Sequence, residues 1–409
     1  MSMLPMFEPK TRLLAKTIQV ANEETQWESF IVKLLKKLEL PEEKRRAAEA
    51  RYYELARHVA HKLNMREENV HVVVQGSMRT QTTVAGYGPE KFDLDIVIKV
   101  RGGPLSVMPP DMFFNTFGEA LRGIPGAGEP EAKNRCWRLR YPGESFYFDV
   151  TPAVPVSYAI TGADLRVRDQ EKGWSPSNPE EFASWFCSIA QLRFAFEQRR
   201  WLIKAEDAAV KVDPLPSEPV RIDDILRRLV QLMKLHRDSY FRKLPDERRM
   251  AMPISVILVT LATKAYQDMA TQEPNAFVSA IDVVLEVVER MPVYIKRDRQ
   301  FEVNNPALEG PYPENFADKW NHDGGLRARE FNTWHRQLSD DLFALFVAGY
   351  SKRSEEKIRA VFGEVGVSGW KEMQPQPTGI LGGLLATAPG NSATQPQRPR
   401  STGERDTLA

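Results

Sequence analysis

An apolar run through Val70, Val72 and Val74 leads into Gln75-Gly76-Ser77, and a second run, FDLDIVIKV, spans Phe92 to Val100. The second run constrains the chain most. Residues two apart on a strand point to the same side, so Asp93 and Asp95 project together, while Phe92, Leu94, Ile96, Val97 and Ile98 read as a strand buried on both faces. Unpaired carboxylates are costly in such surroundings. The plain alternative is a pair of surface aspartates on an edge strand, and the apolar flanks weigh against it. Carboxylates paired in this way can hold two divalent cations if a third joins them, and FYFDVTPAV offers Asp149 in another β-prone run able to lie beside the first. Mg²⁺ (or Mn²⁺) suits the set, because Mg²⁺ takes oxygen ligands and is usually bound through one or two carboxylates plus substrate phosphates.

Gly76 and Ser77 read first as a strand-to-helix turn with Ser as N-cap. The same geometry turns backbone N–H groups and a hydroxyl toward an anion, so capping and phosphate binding are compatible. Gln75, Arg79 and Thr80 are near enough in sequence to add donors. Further along, Lys234 in QLMKLHRDSYF lies off the apolar face of its helix, where most lysines are solvated, but where a cation can also point into a cleft. Ser255 in MPISVIL reads as a first-turn helix residue. Together Lys234 and Ser255 can grip one triphosphate. His236 falls on the core face and reads as a packed histidine rather than a base.

At 409 residues the chain has room for about two to three domains, and its 42% hydrophobic and 27% charged residues are ordinary for a globular protein. The net charge of +1 gives no global pull toward nucleic acid, and no basic groove stands out in the sequence. Cys136 and Cys187, the only two cysteines, form no metal-binding array, which disfavours zinc and fits a reducing compartment. The first residues, MSMLPMFEPKTR, have no secretory pattern, and the apolar run Ile254 to Ala262 is too short to span a bilayer. A cytoplasmic protein without membrane attachment is expected.

The pattern predicts one long or kinked helix from about Thr25 to Leu63 bracing a sheet, with strands at 70–75, 92–100, 135–141 and 146–151 and a helix at 111–122. The Pro-, Gly- and Asp-rich piece 152–178 reads as a surface connection with a short hairpin near 156–168. Helices follow at 180–207, ending in Arg199, Arg200 and Lys204, then at 222–241, 253–271, 275–290 and 326–350, with a break at 213–219. This gives an α/β + α fold: 20–178 a sheet with flanking helices, 179–370 a helical domain completing a cleft, and 371–409 a flexible tail too poor in aromatics to offset its ordering entropy.

These motifs resemble the DNA polymerase β-type nucleotidyltransferases, and more narrowly the bacterial CD-NTases, the cGAS/DncV-like cyclic oligonucleotide synthases. The narrower resemblance rests on QGS with DLDIVI, on FDVTPAVP, on LVQLMKLHRD with the following PIS helix, and on ENFADKWN, and it covers roughly 20–365. It implies a polymerase β-like sheet, with Asp93, Asp95 and Asp149 as catalytic and metal-binding triad, Gly76 and Ser77 as phosphate-holding turn, and Lys234 and Ser255 on the donor triphosphate. It implies the joining of ATP, GTP or pyrimidine triphosphates into a cyclic di- or trinucleotide with loss of pyrophosphate. It implies, too, a product that acts on a separate effector in anti-phage (CBASS-type) defence. For some relatives it also implies conjugation of the C-terminus by a ubiquitin-transfer-like partner, which a tail ending in Thr407, Leu408 and Ala409 would suit. Two other functions remain open: an acceptor-extending nucleotidyltransferase (tRNA-end or small-molecule), and a silent nucleotide-binding scaffold. The three aspartates weigh against the scaffold, since close carboxylates without a metal repel.

Overall fold

The computed structural model describes residues 21–86, 92–156, 164–196, 224–308, 313–347 and 355–373. The expected brace is two helices, α1 (Ala21–Leu38) and α2 (Glu42–Lys62), because Pro41 has no N–H to continue the first and fits just before the second. Only α2 packs on the sheet, through Tyr52, Leu55 and Val59. Helix α1 instead joins the helical half, where Trp27 stacks on Trp370 at 5.5 Å and Phe30 meets Phe362 edge-on.

The sheet is mixed. Strands β1 (Val70–Val74), β2 (Phe92–Val100), β3 (Glu131–Ala132), β4 (Trp137–Arg140) and β5 (Phe146–Pro155) lie in the order β1-β2-β5-β4-β3. β2 and β5 are parallel, and the other pairs are antiparallel. A short helix α3 (Gly76–Thr80) follows β1, and α4 (Pro110–Ala120) covers one face through Phe113 and Phe117. The piece read as a surface connection is mostly sheet: β6 (Leu165–Asp169) pairs with the end of β5 and turns back into β7 (Gly173–Ser177). Its turn is built by Asp169, whose carboxylate accepts from the N–H groups of Glu171 and Lys172. Residues 157–163, where half of the expected hairpin falls, lie outside the described residues.

Helix α5 (Pro179–Ala190) is capped by the Asn178 side chain, which accepts from Glu181 N–H at 3.0 Å. It stops well short of 207, and Arg199, Arg200, Lys204, the break at 213–219 and Ile222 lie outside the described residues. The helical core then comprises α6 (Ile225–Phe241), a short α7 (Asp246–Met250), α8 (Ser255–Gln272), α9 (Ala280–Arg290), α10 (Leu326–Val347) and α11 (Glu355–Met373). α11, kinked at Gly363 (φ 65°), has no counterpart in the sequence reading. Residues 374–409, with the expected tail and Ala409, lie outside the described residues. His236 is a packed histidine: Trp334 Nε1 donates to its Nδ1 at 3.0 Å, and its Nε2 meets Asp341 at 3.1 Å.

Candidate active site

In the parallel ladder Asp95 is in register with Asp149, and Asp93 with Tyr147. Partners in register face the same side, so carboxylate oxygens of Asp93, Asp95 and Asp149 come within 4.8 Å of one another. Asp93 is exposed, Asp95 half-buried and Asp149 buried. Loss of water, then the charges of Asp95 and Asp149, push the Asp93 carboxyl up to about 8. Loss of water, then Asp149, push Asp95 up to about 6, with Lys234 and Arg138 pulling the other way. Because Asp93 opens to solvent, the repulsion from its two neighbours is the cause that the geometry supports most directly. Oxygen-only donors this close, charged alike and open on one side, fit divalent cations.

Arg138, which the sequence reading missed, already answers part of that repulsion. It sits opposite Asp149 on β4. Its Nε and Nη2 donate to Asp149 Oδ1 and Oδ2 at 2.9 and 2.7 Å, and its guanidinium lies 4.2 Å from the centre of the Tyr147 ring. Tyr147 in turn hydrogen-bonds Asp93 through its hydroxyl. The signal lay in the YPGES turn between WRLR and FYFDV: counting outward from it pairs Arg140 with Tyr147 and Arg138 with Asp149.

Gly76 lies against the triad. At φ +60° a Cβ there would fall 2.1 Å from Asp95 Oδ2, so only glycine lets the turn lie against the carboxylate. The main chain adds a bond from Gln75 N–H to the Asp95 carbonyl at 3.0 Å. Ser77 is not the N-cap. Gln75 holds that position without a side-chain cap bond, and the Ser77 hydroxyl accepts from Thr83 Oγ1 at 3.3 Å. Thr80 is buried, its hydroxyl engaged with the Gly76 carbonyl, and Arg79 is exposed.

From the other half, Lys234 enters the site buried, donating to Thr82 O and Oγ1 at 3.1 and 3.2 Å. Burial first, then Arg237, pushes its ammonium down to about 8, while Asp95 pulls it up. Ser255 opens α8, and its hydroxyl accepts from Arg237 Nη1 at 2.9 Å. Arg237 is buried too, a second cation that sequence reading passed over inside LHRD. Gln75, Gly76, Ser77, Asp93, Asp95, Lys234 and Ser255 all line one cleft of about 820 Å³, with Asp149 behind Asp95. Its far wall includes Asn315, Phe316 and Trp320 from ENFADKWN.

No family model matches the chain. It is 30% identical over 257 residues to the c-di-GMP synthase of Roseivirga ehrenbergii, covering 61% of this chain. The chain thus spans 61% of the length of that curated relative. It superposes on the CD-NTase CdnG of Bradyrhizobium diazoefficiens in complex with GTP with a TM-score of 0.62 and 22% identity, covering 84% of this chain and 97% of that one. With CdnC of Escherichia coli MS115-1 and ATP the TM-score is 0.56 at 12% identity, covering 82% and 98%. The fold, a mixed sheet flanked by helices and joined to a helical half, is the one those structures have.

Proposed function

We infer that the chain is a bacterial CD-NTase of the polymerase β nucleotidyltransferase type, and that it condenses nucleoside triphosphates into a cyclic di- or trinucleotide with release of pyrophosphate. The observation that carries this reading is the convergence of Asp93, Asp95 and Asp149 within 4.8 Å, against a turn that only Gly76 permits. Asp93, Asp95 and Asp149 would hold two divalent ions, Mg²⁺ or Mn²⁺. Such ions supply charge to the α-phosphate and leaving pyrophosphate and lower the pKa of a ribose hydroxyl. The protein's own groups do the rest. The turn at Gly76 and Ser77 turns main-chain N–H groups toward the β- and γ-phosphates, with Gln75 beside it. Lys234, ionised through most of the neutral range despite its depressed pKa, and Ser255 meet the triphosphate from the opposite wall.

The names of the relatives support cyclic products and purine triphosphates. No helix among the described residues is long and apolar enough to cross a membrane, and we place the enzyme in the cytoplasm, its product acting on a separate effector in anti-phage defence. Conjugation of the C-terminal tail by a ubiquitin-transfer-like partner belongs to the same proposal; incubation with such a partner that leaves the tail unmodified overturns it.

The test is incubation of purified protein with radiolabelled triphosphates and Mg²⁺ or Mn²⁺, followed by phosphatase. A product that phosphatase leaves unchanged has no terminal phosphate and is cyclic, whereas one that loses terminal phosphates is linear or tailed and overturns the cyclase reading. Asp93→Asn and Asp95→Asn should each lower turnover by about 10³-fold or more, since several kcal/mol of charge stabilisation depends on them. Intact synthesis in either variant overturns the metal assignment.

A further inference from the structure

After the short helix that carries Ser77, the chain passes through Thr80-Gln81-Thr82-Thr83, with Gln81 in the left-handed region at φ 57°. Three donors from a single helix seize this loop by its main chain. Arg227 Nε donates to the Thr80 carbonyl at 2.9 Å, Gln231 Nε2 to the Thr83 carbonyl at 3.1 Å, and Lys234 Nζ to the Thr82 carbonyl at 3.1 Å. Positions 227, 231 and 234 fall on one face of α6. The loop is tied to the phosphate turn in its own right: Thr82 N–H donates to the Ser77 carbonyl at 2.9 Å, and Thr83 Oγ1 to the Ser77 hydroxyl at 3.3 Å.

A helix that only filled a core would have no need of these side chains. Gln231 is fully buried, as is Thr82, and burying an amide or guanidinium is unfavourable unless every polar atom finds a partner. Both side chains are themselves held. Arg227 pairs with Asp224, the residue that caps α6. The Gln231 carbonyl oxygen accepts from Arg228 at 3.0 Å. Donation to carbonyl oxygens fixes main chain rather than side chains, so what the three donors set is the path of the loop and the height of Ser77. On the other side, a Cβ added at Gly76 would fall 2.1 Å from Asp95 Oδ2, so the turn already lies against that carboxylate.

We propose that Arg227 and Gln231 are positioning residues that hold Thr80–Thr83, and through it Ser77, at the height over Asp95 where a triphosphate binds, so that the seating of α6 sets affinity for the donor nucleotide. This rests on the triphosphate reading of the cleft. Neither residue touches substrate; each acts through the loop.

The test compares Arg227→Met and Gln231→Met, with Arg227→Lys as the conservative variant, in the full chain. The probe is a fluorescent purine triphosphate with a non-hydrolysable α–β bridge. Mn²⁺ binding by electron paramagnetic resonance, thermal unfolding, and amide exchange across 76–83 are followed alongside. Each methionine variant should weaken triphosphate binding roughly tenfold, with Mn²⁺ affinity within about twofold, because one buried hydrogen bond is lost from the loop and none from the strands. Exchange at Ser77 and Thr82 should quicken, and Arg227→Lys should recover part of the affinity. A lowered unfolding midpoint with unchanged triphosphate affinity would make the contacts merely structural and overturn the proposal. So would equal losses of Mn²⁺ and triphosphate. If the unaltered chain binds Mn²⁺ but no triphosphate, it is the triphosphate reading that fails, and the positioning role falls with it.

Discussion

The carboxylate face of β2 and β5 and the cationic face of α6 meet across one cleft but are fixed by different means. The strands are held by a continuous main-chain ladder, with Asp95 beside Asp149 whatever the side chains do. Helix α6 has no such ladder to its neighbours: it is buried on almost every side and is seated by packing and by polar side chains. The imbalance also has opposite sign. On the strands, loss of water and then the crowding of like charges push Asp93 and Asp95 up; on the helix, loss of water pushes Lys234 down. Each half alone is charged in a way that its surroundings oppose. On the proposed function, a triphosphate with its cations would relieve both halves at once, as a site prepared for that ligand requires.

Gly76→Ala should break this comparison most severely, because it strikes where the turn lies against the carboxylate face. The added Cβ must displace either the turn or the Asp95 carboxylate, and a displacement of about 1 Å at a reacting centre costs on the order of 10²-fold in rate. The left-handed main chain adds about 1–2 kcal/mol of strain. Steady-state pyrophosphate release and thermal unfolding measure the two effects separately. Arg138→Lys is the milder probe of the strand side. Lysine keeps the charge but loses the planar fork that grips both oxygens of Asp149. Loss of a group orienting a ligand in this way should weaken Mn²⁺ binding roughly tenfold with the unfolding midpoint nearly unchanged. A variant that binds Mn²⁺ as the parent does would mean that the ladder alone orients Asp149.

The same contrast explains what the sequence disclosed. A strand repeats every two residues, so DLD announced a shared face without any knowledge of the fold, and Asp149 needed only a partner strand. The helix was harder to read. Ile225, Leu226, Leu229 and Met233 mark one apolar face, and that rule assigns Lys234 to solvent. Yet the opposite face is buried as well, against the loop of the other half, so Lys234, Gln231 and Arg237 are interior residues that periodicity files as surface. Arg138 was hidden for a different reason: an arginine alternating in a strand looks solvated until the hairpin register sets it against Asp149. The hairpin β6–β7 was obscured by Gly173 and Pro176, which composition reads as loop although an edge strand tolerates them. Helix α1 gave no sign of its true neighbours, since the pairing of Trp27 with Trp370 depends on tertiary packing across nearly the whole chain.

The smallest effect tests the sign of the strand-side imbalance. In the metal-free protein Asp93 titrates above its ordinary value of 3.8, at about 8, so between those values the folded chain binds more protons than the unfolded one. Stability from such a group is complete below about 4 and is lost as the pH rises through the folded value. With a chelator present, the unfolding midpoint should therefore fall between pH 4 and 8 on this account. Asparagine mimics the protonated acid at every pH, so Asp93→Asn should melt with the parent near pH 4 and above it at pH 8. Asp93 is exposed, and solvent screening holds the gain to about one or two degrees. Mn²⁺ should reverse the order at pH 8, because an ion bound to the folded state stabilises the parent by mass action and the variant less. Calorimetry at both pH values, with chelator and then with Mn²⁺, reads all four cases. A variant that melts below its parent at pH 8 in chelator would mean that Arg138 and Tyr147 already neutralise the repulsion, and that the strand face is balanced before any ion arrives.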